Sequence, residues 1–100
     1  MSAPGMNLEF ESTRDFIHRS QPIQGLEMSV VRAIQISPAG QSKVAAGIYH
    51  IEVNHGPKVY LVFFGRRQRS NKIGLIAIFD VEQDAKLIRE KEAELKQRYR

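Results

Sequence analysis

The sequence predicts a single α+β domain in which a short strand and two helices precede an antiparallel meander and a C-terminal helix. Two nearly continuous apolar runs, residues 59–64 and 73–79, have the composition of central strands covered on both faces. Short connections join these runs to their neighbours, and short connections make successive strands antiparallel. A chain of 100 residues is long enough for one domain with its own core.

The N-terminal residues predict a leader, a strand and a helix in that order. Residues 1–6 are small and include Pro and Gly, so we expect a disordered leader before a domain over residues 7–100. Residues 8–11 alternate apolar and polar side chains, as a half-buried strand does. Ser12 and Asp15 have the spacing of a capping box, which predicts a short first helix.

A second helix is expected to begin at Pro22, because proline has no N–H to leave unpaired in a first turn. Apolar residues follow at helical spacing at Ile23, Leu26, Val30 and Ile34. The two helices are therefore predicted to form a helical hairpin.

Three strands and a last helix complete the prediction. Residues 44–53 are interpreted as the first strand of a three-stranded antiparallel meander, followed by a turn at residues 54–57. Residues 65–72 form the polar loop between the two apolar strands. The C-terminal helix is expected to begin within residues 80–83, where acidic side chains suit the positive end of its dipole.

Charge is distributed unevenly along the chain. Residues 1–65 carry five basic and five acidic side chains, whereas residues 66–100 carry ten basic and six acidic ones. The whole net charge of +4 therefore belongs to the last third, which indicates a phosphate-rich or acidic partner or, alternatively, a solubilising surface. The absence of cysteine and of a long apolar run favours a cytoplasmic protein outside the membrane. No metal site and no cofactor are predicted.

The basic loop is the main candidate for binding. Arg66, Arg67, Arg69 and Lys72 lie within eight residues of one another at a predicted hairpin tip. Guanidinium groups match phosphate oxygens in pairs, so these four residues are predicted to contact nucleic acid. The alternative is a solvated loop that keeps the hairpin soluble.

A second polar cluster lies on the first predicted strand. His50 and Glu52 share one face, where a carboxylate can orient an imidazole, and His55 follows in the turn. A polar solvent-facing edge is the simpler interpretation. Tyr60 and Tyr99 are potential stacking or acid groups, but each belongs to an apolar stripe and is therefore interpreted as a core residue.

Four segments of the chain resemble the RelE/ParE toxin superfamily, in particular its phage-derived HigB-like branch. They are residues 8–17 (LEFESTRDFI), 47–53 (GIYHIEV), 56–67 (GPKVYLVFFGRR) and 84–100 (DAKLIREKEAELKQRYR). The order of strand, helical hairpin, meander and helix is also similar to that of the superfamily.

The resemblance implies a toxin of a type II toxin–antitoxin system that is held silent by an antitoxin protein. RelE-like members cut mRNA in the ribosome as endoribonucleases, and ParE-like members act on gyrase. Should this chain cleave RNA, the resemblance makes His50, His55, Lys58 and Tyr60 the catalytic candidates for proton transfer and phosphate contact.

The chain departs from the superfamily pattern where that pattern has arginine. Glu52 and Leu61 occupy two of these strand positions, and residues 80–82 are Asp-Val-Glu in place of a third basic stretch. A carboxylate at such a position repels phosphate. A non-catalytic module that binds nucleic acid or a protein is therefore an alternative. A homo-oligomeric structural subunit is a third, since something must cover both faces of the apolar strands.

Overall fold

A computed structural model describes residues 8–36, 40–66 and 70–100 of the chain. Within these ranges the protein is α+β, with five strands and three helices. In chain order the elements are β1 (Glu9–Ser12), α1 (Arg14–Ser20), α2 (Leu26–Ile36), β2 (Gln41–Ala45), β3 (Ile48–His55), β4 (Lys58–Arg66), β5 (Lys72–Asp80) and α3 (Ala85–Arg98). The leader predicted at residues 1–6 lies outside the described residues.

The five strands form one mixed sheet in the order β1-β5-β4-β3-β2. Strands β2 to β5 are successive antiparallel neighbours, and β1 joins the far edge parallel to β5. The meander therefore has four strands, and the prediction of three was wrong. The segment predicted as one strand turns at Gly47, whose φ of 73° is a left-handed conformation that glycine adopts without strain. The residues on both sides of this turn are apolar, so the sequence shows no polar break between β2 and β3.

The helices cover the sheet on two faces. Helix α1 packs against β5 and α2 against β3, so the two helices predicted to form a hairpin pack on the sheet and hardly on each other. Helix α3 packs against β2 and β5 on the other face. Alternate residues of β4 enter the two resulting cores, with Val62 and Phe64 in one and Leu61 and Phe63 in the other. Both faces of the central strands are thus covered by helices of the same chain.

Helix α1 begins one residue later than its capping-box prediction. Thr13 is the N-cap residue, and its Oγ1 accepts a hydrogen bond from the Phe16 N–H at 3.1 Å. The same hydroxyl donates to the carbonyl oxygen of Ile76 at 2.6 Å. Thr13 therefore caps the helix and ties its first turn to β5, which a solvent-facing cap at Ser12 would not do.

Helices α2 and α3 also begin later than predicted. Gly25 has a φ of 79° and lies just before α2, so the helix begins at Leu26 and Pro22 belongs to the preceding turn. Helix α3 begins at Ala85. Asp80, which was predicted to lie at the start of this helix, is the last residue of β5. No helix in the described part of the chain is long and apolar enough to cross a membrane.

Candidate functional site

One row of residues crosses the whole sheet at the end where β4 finishes and β5 begins. The strand register places Glu11 opposite Gly74, Gly74 opposite Gly65, Gly65 opposite Ile48, and Ile48 opposite Ala45. Residues in one row of a sheet point to the same face. This row is on the face of the sheet against which α3 packs, beyond the part that α3 covers. Two adjacent strands therefore contribute no side chain to the middle of this row.

The two glycines create open space, and their backbone does not require glycine. Neither has the left-handed φ found at Gly25, Gly47 and Gly56. A Cβ added at Gly74 would meet nothing within 4 Å, and one added at Gly65 would make ordinary contacts at 3.6 and 3.8 Å. The pair forms the bare floor of a groove.

This glycine groove has a volume of about 530 Å³. The residues that line it include Glu11 on one side, Ile48 on the other, and Arg66, Lys72 and Tyr99. Arg66 is opposite Ile73 of the core beneath α1 and α2, so its side chain starts from the other face of the sheet. Strands lie about 4.8 Å apart, so Glu11 and Ile48, three strands apart in the row, are separated by roughly 14 Å. A flat organic ring fits between such walls.

Tyr99 is held rigidly at one wall of the glycine groove. It is the residue after α3, and its N–H donates to the Leu95 carbonyl oxygen at 2.9 Å. Its own carbonyl oxygen accepts from the Ala46 N–H at 3.1 Å, in the turn between β2 and β3. With both backbone groups fixed, the side chain remains 39% exposed. The interpretation of Tyr99 as a core residue was therefore wrong, and the ring is available for stacking.

A second groove of about 520 Å³ continues from the first past Ala46 and Tyr99. Its walls carry Lys43, Lys96 and Arg100. Among the residues that the structure describes, five basic residues and one acidic residue, Glu11, line the two grooves. One of the five, Lys96, forms an ion pair with Glu92 at 3.4 Å. Such a surface favours a polyanion.

Two of the four residues predicted to bind nucleic acid lie at the glycine groove. Arg66 ends β4 and Lys72 begins β5, and both are exposed. Neither forms an ion pair with an acidic residue in the described part of the chain. Arg67 and Arg69 lie outside the described residues. The charge of Lys72 is therefore available to a ligand in the groove, whereas the charge of Arg66 lies at the end of β4 on the α2 side of the sheet.

Arg66 is oriented through a side-chain relay to α2. Its Nη1 donates to Oε1 of Gln41 at 3.4 Å. Gln41 in turn donates through Nε2 to the Ile34 carbonyl oxygen at 3.2 Å, in the last turn of α2. Because the amide nitrogen is used by this carbonyl, the amide oxygen is left to face the guanidinium.

The catalytic candidate His55 is held by hydrogen bonds on both ring nitrogens. Nε2 lies 3.0 Å from the Gln24 carbonyl oxygen and Nδ1 lies 2.8 Å from Ser29 Oγ. A carbonyl oxygen only accepts, so Nε2 carries the hydrogen and Nδ1 of the neutral ring accepts from the serine hydroxyl. This arrangement fastens the start of α2 to the end of β3 and leaves no ring nitrogen for a substrate.

Lys58 is engaged in an ion pair. Its Nζ lies 3.0 Å from Oδ2 of Asp80, and this hydrogen bond raises the pKa of Lys58 above its usual value. The same contact lowers the pKa of Asp80, and the backbone N–H groups of Gln83 and Glu82 add to the effect by donating to Oδ1. A lysine whose charged form is favoured in this way is a poor general base.

The two remaining catalytic candidates face opposite sides of the sheet. Tyr60 is 7% exposed and belongs to the core beneath α1 and α2, as its apolar stripe predicted. His50 lies on the α3 side, where its ring meets Phe63 edge to face at a centroid distance of 5.9 Å. Its Nδ1 is buried and has no hydrogen-bond partner in the described part of the chain. The fold therefore does not bring these two side chains to one substrate.

Three of the four catalytic candidates, Lys58, Tyr60 and His55, lie at the end of β4 away from Arg66, whereas His50 is opposite Phe63, three residues from Arg66. Lys58 begins this strand and Arg66 ends it. At about 3.3 Å per residue the two positions are roughly 26 Å apart. A phosphate held at Arg66 and Lys72 is therefore out of reach of Lys58, Tyr60 and His55.

The features that sequence reasoning missed are the glycine pair, the exposure of Tyr99 and the place of Glu11. Gly65 and Gly74 interrupt two strand-like runs, and glycine inside a strand often marks a close approach of a ligand or of another backbone. That signal was present in the sequence. The pairing of the two glycines with each other and with Glu11 was not, since it depends on register.

Comparison of the chain with protein-family models, curated proteins and solved structures found no match.

Proposed function

We propose that this protein is a non-enzymatic nucleic-acid-binding module that holds a single strand in the glycine groove. Nucleic acids carry phosphates along a chain together with flat bases. The groove has cations that can bind the phosphates and an aromatic ring on which a base can stack. Lys72 and the cations of the adjoining groove bind phosphate oxygens, Arg66 binds phosphate at the end of β4 on the α2 side, and Tyr99 provides a stacking surface.

The observation that carries this proposal is the row across the sheet. Gly65 and Gly74 leave a floor without side chains between two walls, beside the exposed Lys72, which forms no ion pair with an acidic residue in the described part of the chain. A groove with this spacing admits one unpaired base at a time. A base-paired duplex is too wide to enter it, so a single strand is the preferred form of the ligand.

The test is the salt dependence of binding to labelled single-stranded RNA and DNA of one sequence and to the matching duplex. Each phosphate contact with a single strand contributes about 0.7 to the slope of log affinity against log salt concentration. Arg66→Gln and Lys72→Gln are each expected to reduce that slope by about this amount. Single strands are expected to bind more tightly than the duplex.

Lys86→Gln is the matched control for these variants. Lys86 is an exposed cation of α3 that lines neither groove, and it forms no ion pair with an acidic residue of the described ranges. Its replacement removes the same net charge from another place. Equal losses in all three variants would mean that net charge alone attracts the polyanion, which contradicts a groove.

A toxin of the RelE/ParE type is the second candidate function, and it rests on a different observation. The chain has a strand, two helices, antiparallel strands and a C-terminal helix in the order that the resemblance implies, but its meander has four strands where the resemblance implies three. Expression in a bacterium without the neighbouring gene is then expected to arrest growth, and the double variant Arg66→Gln, Lys72→Gln to relieve the arrest. Normal growth with ample folded wild-type protein would exclude this candidate.

A further inference from the structure

Glu11 is the one acidic residue among the described residues that line the glycine groove, and its carboxylate does not suit a site that binds only phosphate. Glu11 is exposed and forms no ion pair with a basic residue in the described ranges. A free carboxylate raises the energy of any phosphate beside it. A ligand group that donates hydrogen bonds suits this carboxylate better than a phosphate does.

The register fixes where that part of the ligand lies. Glu11 is opposite Gly74 in the row, so no side chain stands between its strand and the glycine floor. Tyr99 lines the same groove. A base that stacks on this ring and extends over the floor can turn one edge toward the carboxylate.

The chemistry of a carboxylate selects among the bases. Ionised carboxylates only accept hydrogen bonds, and their two oxygens take two parallel N–H donors best. Guanine presents adjacent N1–H and N2–H donors on its Watson–Crick edge. On the same edge, adenine, cytosine and uracil place acceptors beside their donors, so one carboxylate oxygen would meet an acceptor.

We propose that Glu11 is a specificity-determining residue that selects a guanine base, with its N1–H and N2–H donating to the two carboxylate oxygens. This inference rests on the proposed function, since it assumes that a single strand occupies the groove. It adds a base preference that the cations and the aromatic ring cannot supply, because phosphates and stacking surfaces are common to all bases.

The experiment compares short labelled oligouridines that carry one central guanosine, inosine or adenosine, by fluorescence anisotropy. Inosine keeps the N1–H of guanine and lacks the N2 amino group. The wild-type protein is expected to bind the guanosine strand roughly tenfold more tightly than the inosine strand, the effect of one hydrogen bond to a charged acceptor. Glu11→Gln is expected to remove this preference, so that the guanosine and inosine strands bind with equal affinity.

Glu9→Gln is the matched control. Glu9 is an exposed glutamate on the same strand, lies opposite Lys72 and does not line the groove, so this variant is expected to keep the guanosine preference. Salt-sensitive binding without a guanosine preference, or a preference that survives Glu11→Gln, would overturn the inference and leave the proposed function standing. Absence of salt-sensitive binding to every strand would overturn the proposed function and this inference with it.

Discussion

A side chain added at the floor of the glycine groove is expected to lower the affinity for a single strand and to raise the stability of the fold. Gly74→Val places a branched side chain where an added Cβ would meet nothing within 4 Å. The new side chain occupies the space in which a base would stack on Tyr99. Base–aromatic stacking contributes about 1–3 kcal/mol per base, so affinity for a single strand is expected to fall roughly 5- to 150-fold.

The same substitution is expected to stabilise the fold. Gly74 has no left-handed φ, and glycine within a strand costs roughly 0.5–1 kcal/mol relative to alanine through its larger backbone entropy in the unfolded chain. Valine also suits a pleated strand. For a domain of this size the gain corresponds to a rise in Tm of about 2–8 °C.

The assay combines anisotropy titration of a labelled single strand with thermal unfolding followed by circular dichroism. Asn54→Val is the control, because Asn54 is an exposed strand residue at the far end of β3 and lines neither groove. We expect this control to bind as the wild type does. A Gly74→Val protein that is folded and binds with unchanged affinity would refute the assignment of the groove as the binding site.

The remaining predictions concern the parts of the fold outside the groove. His55→Ala removes a ring that is hydrogen-bonded on both nitrogens, so chemical denaturation is expected to show a loss of about 1–3 kcal/mol with nucleic-acid binding unchanged. The lowered pKa of Asp80 means that its pair with Lys58 stabilises the protein above the ordinary carboxyl pKa of 3.8 and is lost as pH falls through the lower, folded-state pKa. In Lys58→Met, Tm is therefore expected to fall less than in the wild type as the pH is lowered into the acid range. A dependence of Tm on pH equal to that of the wild type would contradict the pairing. Phe63→Ala, at a site with 0% exposure, is expected to cost about 3–5 kcal/mol, and Thr13→Ala about 1 kcal/mol through the lost cap, both measured by denaturant unfolding.

The sequence predicted the elements well where their signals are local. The two central apolar runs are β4 and β5, the capping residues mark α1 within one position, and the C-terminal stripe is α3. The errors occurred where one local signal competed with another. The turn at Gly47 was hidden between apolar residues, and Pro22 was preferred to Gly25 as the mark of a helix start because a left-handed φ cannot be read from residue type alone.

The candidate site was predicted in part, and the reason is geometric. Arg66 and Lys72 were identified from local charge density, and both lie at the glycine groove. The catalytic candidates were grouped because they are close in the sequence. In the fold, His50 and His55 differ in their partners: one ring packs on an aromatic side chain and the other is fastened to α2.

The sequence by itself determined the α+β class, the apolar centre of the sheet and the excess of positive charge in the last third, since each depends on residue type and short-range spacing. Only the tertiary structure decided that β1 pairs in parallel with β5, and with it that Glu11, Gly74, Gly65 and Ile48 form one row. The register of strands far apart in the chain is set by the packing of both cores at once, and a shift of one residue would turn every side chain of a strand to the other face. The groove is a product of that register.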